Sequence, residues 1–510
     1  MRVVAISNKR PTVVFGGYRR ISSSIVTRAL TKLYTSLLLF FPPLLANDYF
    51  HGDHVPLAQS IRLSRLSDGK VLYDFQGKTP LVPACVSKLI TASALLSYLG
   101  PHHHFATNFY QNGAMKGGEL VGDLYVVGDG DPLLLSEDLW KITSDLKNLG
   151  LRTISGNIVV DNSLFYGTGS QAPSFNGPST THAYDAPITA FGVNFNTLAI
   201  AVSPGPKVGS PALVSLDPLR QELVITENLV QTSASGRAEL VVERLSLKDG
   251  ANKLLVSGSI PLGAPLQKIY RSVDNPQITA GEYLRSFLAA QGITCAGTTR
   301  TGTLPPQSKL LLSYQSKDLS QILRSLMFYS NNYMADVLLT RLGAYPLENQ
   351  AIAVTGTSPW ERGLNRIETF LRTQIKWQGN DFNFTSGSGL SPDNSLSAEK
   401  LVSLLRTVSQ HWQYYPEFLA SLPTAGMAGS LGQRFLSPES QTLRGNLRAK
   451  TGTFVSPLAV SAMAGYFHHP RQNVIVFAII QNGIAGKAQP SIADLHQREE
   501  RGLAEIFEIL

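Results

Sequence analysis

The chain has 510 residues, with 44 Lys and Arg against 36 Asp and Glu and a formal net charge of +8. Hydrophobic residues make up 43% and charged residues 16%, which excludes a wholly disordered chain, and the length exceeds one core and points to two to four domains. Two cysteines exclude a disulfide scaffold and a cysteine-rich metal protein.

The positive charge is local. Residues 1–46 carry Arg2, Lys9, Arg10, Arg19, Arg20, Arg28 and Lys32 and no acidic residue, so these seven leave a net +1 on residues 47–510. Nucleic-acid binding thereby loses its support. A short apolar run from Leu37 to Leu45, broken by Pro42 and Pro43, then precedes the small residue Ala46. A basic stretch, an apolar run and a small residue form the order of a secretory signal peptide, and the run is too short to span a bilayer. The basic stretch is long for a signal. A true long leader and a start codon assigned upstream of an ordinary signal explain it equally, and both imply export with cleavage near Ala46. No later segment has roughly 18 continuous apolar residues, so no integral membrane span is expected.

Residues 60–74 hold two β-like runs around Asp68-Gly69, a hairpin signal. Pro83 opens a helix with Leu89, Ile90, Ala92, Leu95, Leu96 and Leu99 at helical spacing, stopped by Gly100-Pro101. Segments 119–135 and 151–165 read as short strands joined by Gly and Asp turns. Residues 197–268 carry Ala212–Leu216, Leu223–Thr226, Glu239–Arg244 and Leu254–Ile260 between turns, which predicts a small all-β module. Residues 281–291 read as helix, and 318–343 as an amphipathic helix interrupted at Ser330-Asn331-Asn332. The tail holds three β runs, Leu447–Phe454, Ala459–Phe467 and Val474–Gln481, and a helix from Ile492 to Ile509. The terminal segments are expected to complete one antiparallel sheet across a long insertion.

Three short signals carry chemistry. Cys85-Val86-Ser87-Lys88 places a sulfur and an amine three residues apart, on one helical face near a helix N-terminus, where the dipole favours an anion. A nucleophile beside a lysine is an activated-nucleophile arrangement. Ser330-Asn331-Asn332 breaks a helix. Lys450-Thr451-Gly452 sits within a strand, where Gly452 admits the backbone of a substrate and Lys450 suits a carboxylate. Each is common by chance. Together they match, in order, the S-x-x-K, S-x-N and K-T-G set of penicillin-binding proteins and class A β-lactamases, apart from Cys85. His102-His103-His104 reads as a solvated loop and Cys295 as a buried small residue. Gly128-x-Gly130 is no dinucleotide fingerprint, because Pro132 does not lead into a βαβ helix. No metal ligand set and no cofactor is expected.

The chain resembles the penicillin-binding family of D-alanyl-D-alanine carboxypeptidases/endopeptidases with a large insertion after the first motif. The resemblance rests also on Gly122–Pro132 (GDLYVVGDGDP), Met327–Asp336 (MFYSNNYMAD), Gly387–Ser391 with Asn394 (GSGLS), and Leu447–Thr453 (LRAKTGT). It implies an α/β (α+β) transpeptidase-like domain, with an antiparallel five-stranded sheet flanked by helices and a large β-rich insertion. The implied division is a leader over 1–46, the transpeptidase-like domain over 47–98 and 308–510, an inserted domain over 99–196 and 269–307, and a nested β domain over 197–268. It further implies that Cys85 stands at the nucleophile position, Lys88 as its base and Ser330 as proton relay. Asn332 would hold the substrate amide, Lys450 and Thr451 the terminal carboxylate, with Gly452 and Thr453 lining the site. The backbone N–H groups of Cys85 and Thr453 would form the oxyanion hole. The implied partner is a peptidoglycan stem peptide in the periplasm of a Gram-negative-type envelope.

Three positions depart from that pattern. Cys85 replaces the nucleophilic serine, so weak reaction with β-lactams and a thiolate–ammonium pair with Lys88 are expected. Ser386 stands for an aspartate and Pro392 for a basic residue, and both are expected to weaken substrate positioning. The alternative function is a catalytically impaired pseudoenzyme that binds peptidoglycan or a cell-wall partner.

Overall fold

A computed structural model describes residues 55–167, 181–217, 224–246, 252–345 and 357–510. The leader expected over residues 1–46 lies outside the described residues. Among the described residues no helix is long and apolar enough to cross a membrane.

The hairpin about Asp68-Gly69 forms from Leu57–Arg65 and Val71–Phe75. It joins the three tail strands in one antiparallel sheet, in the order Leu447–Phe454, Val460–His469, Asn473–Gly483, Leu57–Arg65, Val71–Phe75. The closing register sets Leu57 opposite Gly483 and Arg65 opposite Ile475. Helices cover both faces. The back face, including Leu63, Met463, Phe467 and Phe477, meets Leu503 and Ile506 of the helix Ile492–Ile509. The front face presents Ala462, Ala464, Val476, Ala478 and Ile480 to a larger core supplied by the helices Lys88–Leu99, Leu319–Tyr329, Asn332–Ala344, Pro359–Thr373 and Ala398–Ser409. Lys88–Leu99 runs through that core and is buried from Lys88 to Leu96, which is why its sequence is apolar on nearly every side.

The insertion builds a seven-stranded sheet whose main path is Thr294–Cys295, Thr153–Ile154, Glu119–Val127, Ala106–Lys116 and Lys309–Gln315, with Ile158–Asp161 and Thr299–Thr301 beside it. The helices Ser136–Asn148 and Pro276–Ala290 pack on it through Leu139, Ile142, Tyr283 and Leu284. Between residues 197 and 272 the chain forms two three-stranded sheets. Thr197–Ser203 lies between Gln267–Ser272 and Leu213–Asp217, and Asn252–Pro261 lies between Glu239–Ser246 and Val224–Ser233. The architecture is the expected α/β class with a five-stranded antiparallel sheet flanked by helices.

One boundary moves. Lys309–Gln315 was expected just inside the returning domain from residue 308, yet it pairs antiparallel with Ala106–Lys116 of the insertion. Its local pattern suits either sheet, and only the register with its partner decides. The insertion is fastened to the helix Asn332–Ala344 by Arg341, which donates Nε to the Asp129 carbonyl at 2.8 Å and pairs Nη2 with the Asp129 carboxylate at 2.7 Å.

Candidate active site

Cys85 does not sit inside the α-helix. It lies in a single 3-10 turn, Ala84–Ser87, and the α-helix begins at Lys88. A 3-10 turn eclipses residues three apart, so the expected alignment of Cys85 with Lys88 survives. The turn is held hard. Asn482 of the central sheet clamps the Val82 peptide from both sides, at 2.9 and 3.0 Å. Ala84 adopts φ +49°, a left-handed conformation costly for a residue with a Cβ. A Cβ on Gly389 would stand 2.1 Å from the Ala84 carbonyl oxygen, and one on Gly452 2.8 Å from the Cys85 nitrogen. Both glycines are therefore needed where two other segments close on this turn.

The second segment enters through the helix break. Ser330 ends the helix Leu319–Tyr329 in the left-handed region, with φ +54°. Asn331 caps the next helix by accepting from the Met334 N–H at 3.0 Å. This leaves Ser330 and Asn332 half-buried. The third segment is the edge strand Leu447–Phe454, in which Lys450 is fully buried. Strand alternation sends Lys450 and Gly452 to the front face, while Thr451, on this edge strand, keeps its hydroxyl 2.7 Å from Ser430 Oγ. Thr453 is half-buried opposite Ser461.

The charged groups meet between these segments. Lys88 Nζ donates to Asn332 Oδ1 at 2.7 Å and to the Ser388 carbonyl at 2.5 Å. Cys85 Sγ faces the same Asn332 oxygen at 3.9 Å. Lys450 Nζ donates to Ser330 Oγ at 2.7 Å and to the Thr451 carbonyl at 2.6 Å. Among the described residues neither lysine forms an ion pair with a carboxylate. Burial pushes the Cys85 thiol up, but the Lys88 and Lys450 charges, with hydrogen bonds from Ser330 and Lys88, outweigh it and hold the thiol below its ordinary range. Burial brings Lys450 down to about 7, with the Cys85 charge working against it. The site thus joins a thiol biased towards thiolate to an amine able to lose its proton near neutrality.

These motifs on this fold have a match among known proteins. The profile of the D-Ala-D-Ala carboxypeptidase 3 (S13) family covers residues 54–501. The chain belongs to that family. A D-alanyl-D-alanine carboxypeptidase of Actinomadura sp. is 33% identical over 442 residues, which are 84% of this chain and 78% of the relative. D-alanyl-D-alanine carboxypeptidase DacB of Haemophilus influenzae is 24% identical over 445 residues, 87% of this chain and 88% of the relative. The crystal structure of penicillin binding protein 4 (dacB) from Haemophilus influenzae superposes with a TM-score of 0.71 at 23% identity, covering 90% of this chain and 98% of that one, and shows the shared fold. Family membership makes the chain an enzyme of the D-alanyl-D-alanine carboxypeptidase class.

Within that family frame, Cys85, Lys88, Ser330, Asn332 and Lys450 form one hydrogen-bonded cluster, with Thr451, Gly452 and Thr453 on the strand beside it. Ser386 is not in the cleft. It is buried under the Gly387–Ser391 loop, where its hydroxyl accepts the N–H of Gly389 at 3.1 Å and of Ser391 at 3.4 Å. Pro392 is exposed. Sequence reasoning missed Ser388, whose contribution is a carbonyl and has no side-chain signature. It also missed Ser430, Asp336 and Tyr184, whose backbone carbonyl in the insertion faces Asn332 Nδ2 at 3.5 Å. Asp336 had a signal, four residues after Asn332 in the quoted helix motif.

Proposed function

We propose that the protein is an exported D-Ala-D-Ala carboxypeptidase/endopeptidase that acts on peptidoglycan stem peptides in the periplasm, with Cys85 as nucleophile. The observation that carries this reading is the Cys85 thiol held below its ordinary range by Lys88 and Lys450 within an otherwise complete motif set. The Cys85 thiolate would attack the carbonyl carbon between the two D-alanines, forming a C–S bond. Breaking the C–N bond then needs a proton on the leaving amine. Lys450, hydrogen-bonded to Ser330 and near half-protonated at neutral pH, supplies it through the Ser330 hydroxyl. Water attacks the thioester carbonyl as the C–S bond breaks; one proton returns to Lys450 through Ser330 and the other leaves with the acid product, which releases the shortened peptide and restores the Cys85 thiolate. Thr451 and Lys450 would hold the terminal carboxylate, Asn332 the substrate amide, and the N–H groups of Cys85 and Thr453 the oxyanion, with Gly452 giving the substrate backbone room. The division into leader, transpeptidase-like domain, inserted domain and nested β domain belongs to the same reading.

A second reading has its own observation. The turn carrying Cys85 is closed on by the backbones at Gly389 and Gly452, so the turn has little room to shift and compensate for a C–S bond longer than the C–O bond of a serine. A displacement of about 1 Å costs roughly 10²-fold in rate. On this reading the protein is a pseudoenzyme that binds peptidoglycan or a cell-wall partner. Intact-mass measurement after incubation with a D-Ala-D-Ala peptide or a penicillin decides between them. A thioester adduct on Cys85 with peptide turnover supports the enzyme. No adduct and no turnover, with both gained on Cys85→Ser, sinks it.

A further inference from the structure

Lys88 is gripped from one face of one helix. Asn332 and Asp336 stand four residues apart on Asn332–Ala344, so their side chains leave the same side. Asn332 accepts from Lys88 directly. Asp336 acts at one remove: its Oδ1 accepts the Ser388 N–H at 2.9 Å, and the carbonyl of Ser388 accepts from Lys88 Nζ at 2.5 Å. The loop between them has no slack. A Cβ on Gly387 would lie 2.9 Å from the Ala335 carbonyl oxygen, and on the other side Gly389 abuts Ala84. Thr91, on the Lys88 helix, ties the Gly387 carbonyl at 2.9 Å. The loop is thus a wedge between the Asp336 helix and the Cys85 turn, and a movement at its Asp336 end passes to Lys88.

We propose that Asp336 is a positioning residue which, by fixing the Ser388 peptide, sets how closely the Lys88 ammonium stands to the Cys85 sulfur. The inference rests on Cys85 and Lys88 being the reacting pair. The titratable groups facing Lys88 are Cys85 on its own turn, Asp336 on the neighbouring helix and Lys450 on the edge strand. Asp336 is 1% exposed, and burial pushes it up to about 6 against the Ser388 hydrogen bonds and the charge of Lys88. The chain therefore keeps a destabilising buried carboxylate at neutral pH where it holds the Ser388 peptide.

The test is alkylation of Cys85 by iodoacetamide in the whole protein from about pH 5 to about pH 9, because only the thiolate reacts. Peptide mass spectrometry reads Cys85 apart from Cys295. An ammonium within contact distance lowers an acid by about 1 to 3 units, so Asp336→Ala is expected to raise the Cys85 midpoint by about one unit and to slow labelling at neutral pH about tenfold. Asp336→Asn keeps an oxygen for the Ser388 N–H and is expected to stay nearer the wild type than the alanine variant. A thermal melt reports folding, and if the alanine variant does not fold, Asp336→Ser takes its place, since the shorter hydroxyl does not reach the Ser388 N–H. A midpoint equal to wild type in the alanine or serine variant overturns the proposal. Alkylation needs no peptide substrate, so a protein without peptidase activity refutes the proposed function while leaving this measurement intact.

Discussion

The two faces of the five-stranded sheet both bury charge, and they do it in opposite ways. At the back, Glu499 is fully buried but pairs with Arg434 at 3.0 Å and accepts from Ser461 at 2.6 Å and Gln481 at 3.4 Å. Arg434 also pairs with Glu500, whose other oxygen takes the Phe435 N–H at 3.0 Å. Glu499, Glu500 and Arg434 thus each have a partner of opposite sign. At the front, Lys88 and Lys450 are as deeply buried, yet they rest on neutral oxygens and a thiol. Burial raises even the paired Glu499 carboxyl, but at the front it acts on an amine with no carboxylate partner and brings Lys450 down to about 7, where it can exchange its proton near neutrality. The left-handed backbone at Ala84 and Ser330 also falls on the front. Left-handed backbone also occurs at the back, at Phe435, so what sets the front apart is buried charge without a counter-charge.

That contrast is open to direct attack. The largest effect is expected from Lys88→Met, which removes the ammonium next to the sulfur. The Cys85 alkylation midpoint should rise towards about 8.5 and thioester formation should slow by about 10²- to 10⁴-fold. A profile unchanged from wild type would remove Lys88 from the account. At the back, Glu499→Ala leaves the buried Arg434 with Glu500 alone and leaves Ser461 and Gln481 without their acceptor, and should lose about 1–3 kcal/mol in urea unfolding. The same variant should leave the Cys85 midpoint where it is. Movement of that midpoint would mean that the two faces are not independent.

Gly389→Ala forces a Cβ against the Ala84 carbonyl at φ +80° and should cost about 1–3 kcal/mol while slowing Cys85 alkylation. Equal stability and rate would show that the turn has room to shift. The pH dependence of stability has a sign at each front-face group. Asp336 is raised from 3.8 to about 6 on folding, so the stability it contributes is complete below pH 3.8 and is lost as pH climbs through 6. Lys450 is lowered from 10.5 to about 7, so its contribution is present above pH 10.5 and is lost as pH falls through 7. Wild-type stability should therefore dip near neutrality, and Lys450→Met should flatten the alkaline side of the dip in melts recorded across pH. A slope that Lys450→Met leaves unaltered would contradict the burial of a shifted amine. The smallest effect is expected from Ser430→Ala, which removes one partly exposed partner of Thr451 and should change stability by about 1 kcal/mol or less.

How much of this was written in the sequence depends on whether the information lies in side chains. The terminal helix, predicted from Ile492 to Ile509, spans Ile492–Ile509, because its apolar stripe repeats cleanly over five turns between a serine cap and the chain end. The helix break at Ser330-Asn331-Asn332 was visible as a polar interruption, although the left-handed Ser330 that creates it was not. Ser136–Asn148 was overlooked even though Leu139, Ile142 and Leu146 mark its buried face, and Ala106–Lys116 hid because polar and glycine residues interrupt its inward positions. Three short signals named five polar side chains that the structure brings into one hydrogen-bonded cluster. The Ser388 carbonyl, the displaced start of the α-helix at Lys88 and the burial of Ser386 were not legible, since each follows from where a backbone settles against two others.

The closing register of the central sheet fixes when reactivity can arise. Cys85 is made early in synthesis, but Lys450, Asn482 and the strand opposite Leu57–Arg65 come nearly four hundred residues later. Until that last strand docks, no Asn482 grips the Val82 peptide and no Lys450 stands near the thiol. A growing or incompletely folded chain thus carries an ordinary cysteine, and contacts this distant in sequence form late. Reactivity at Cys85 is in effect a report that Leu57–Arg65 and Asn473–Gly483 have met.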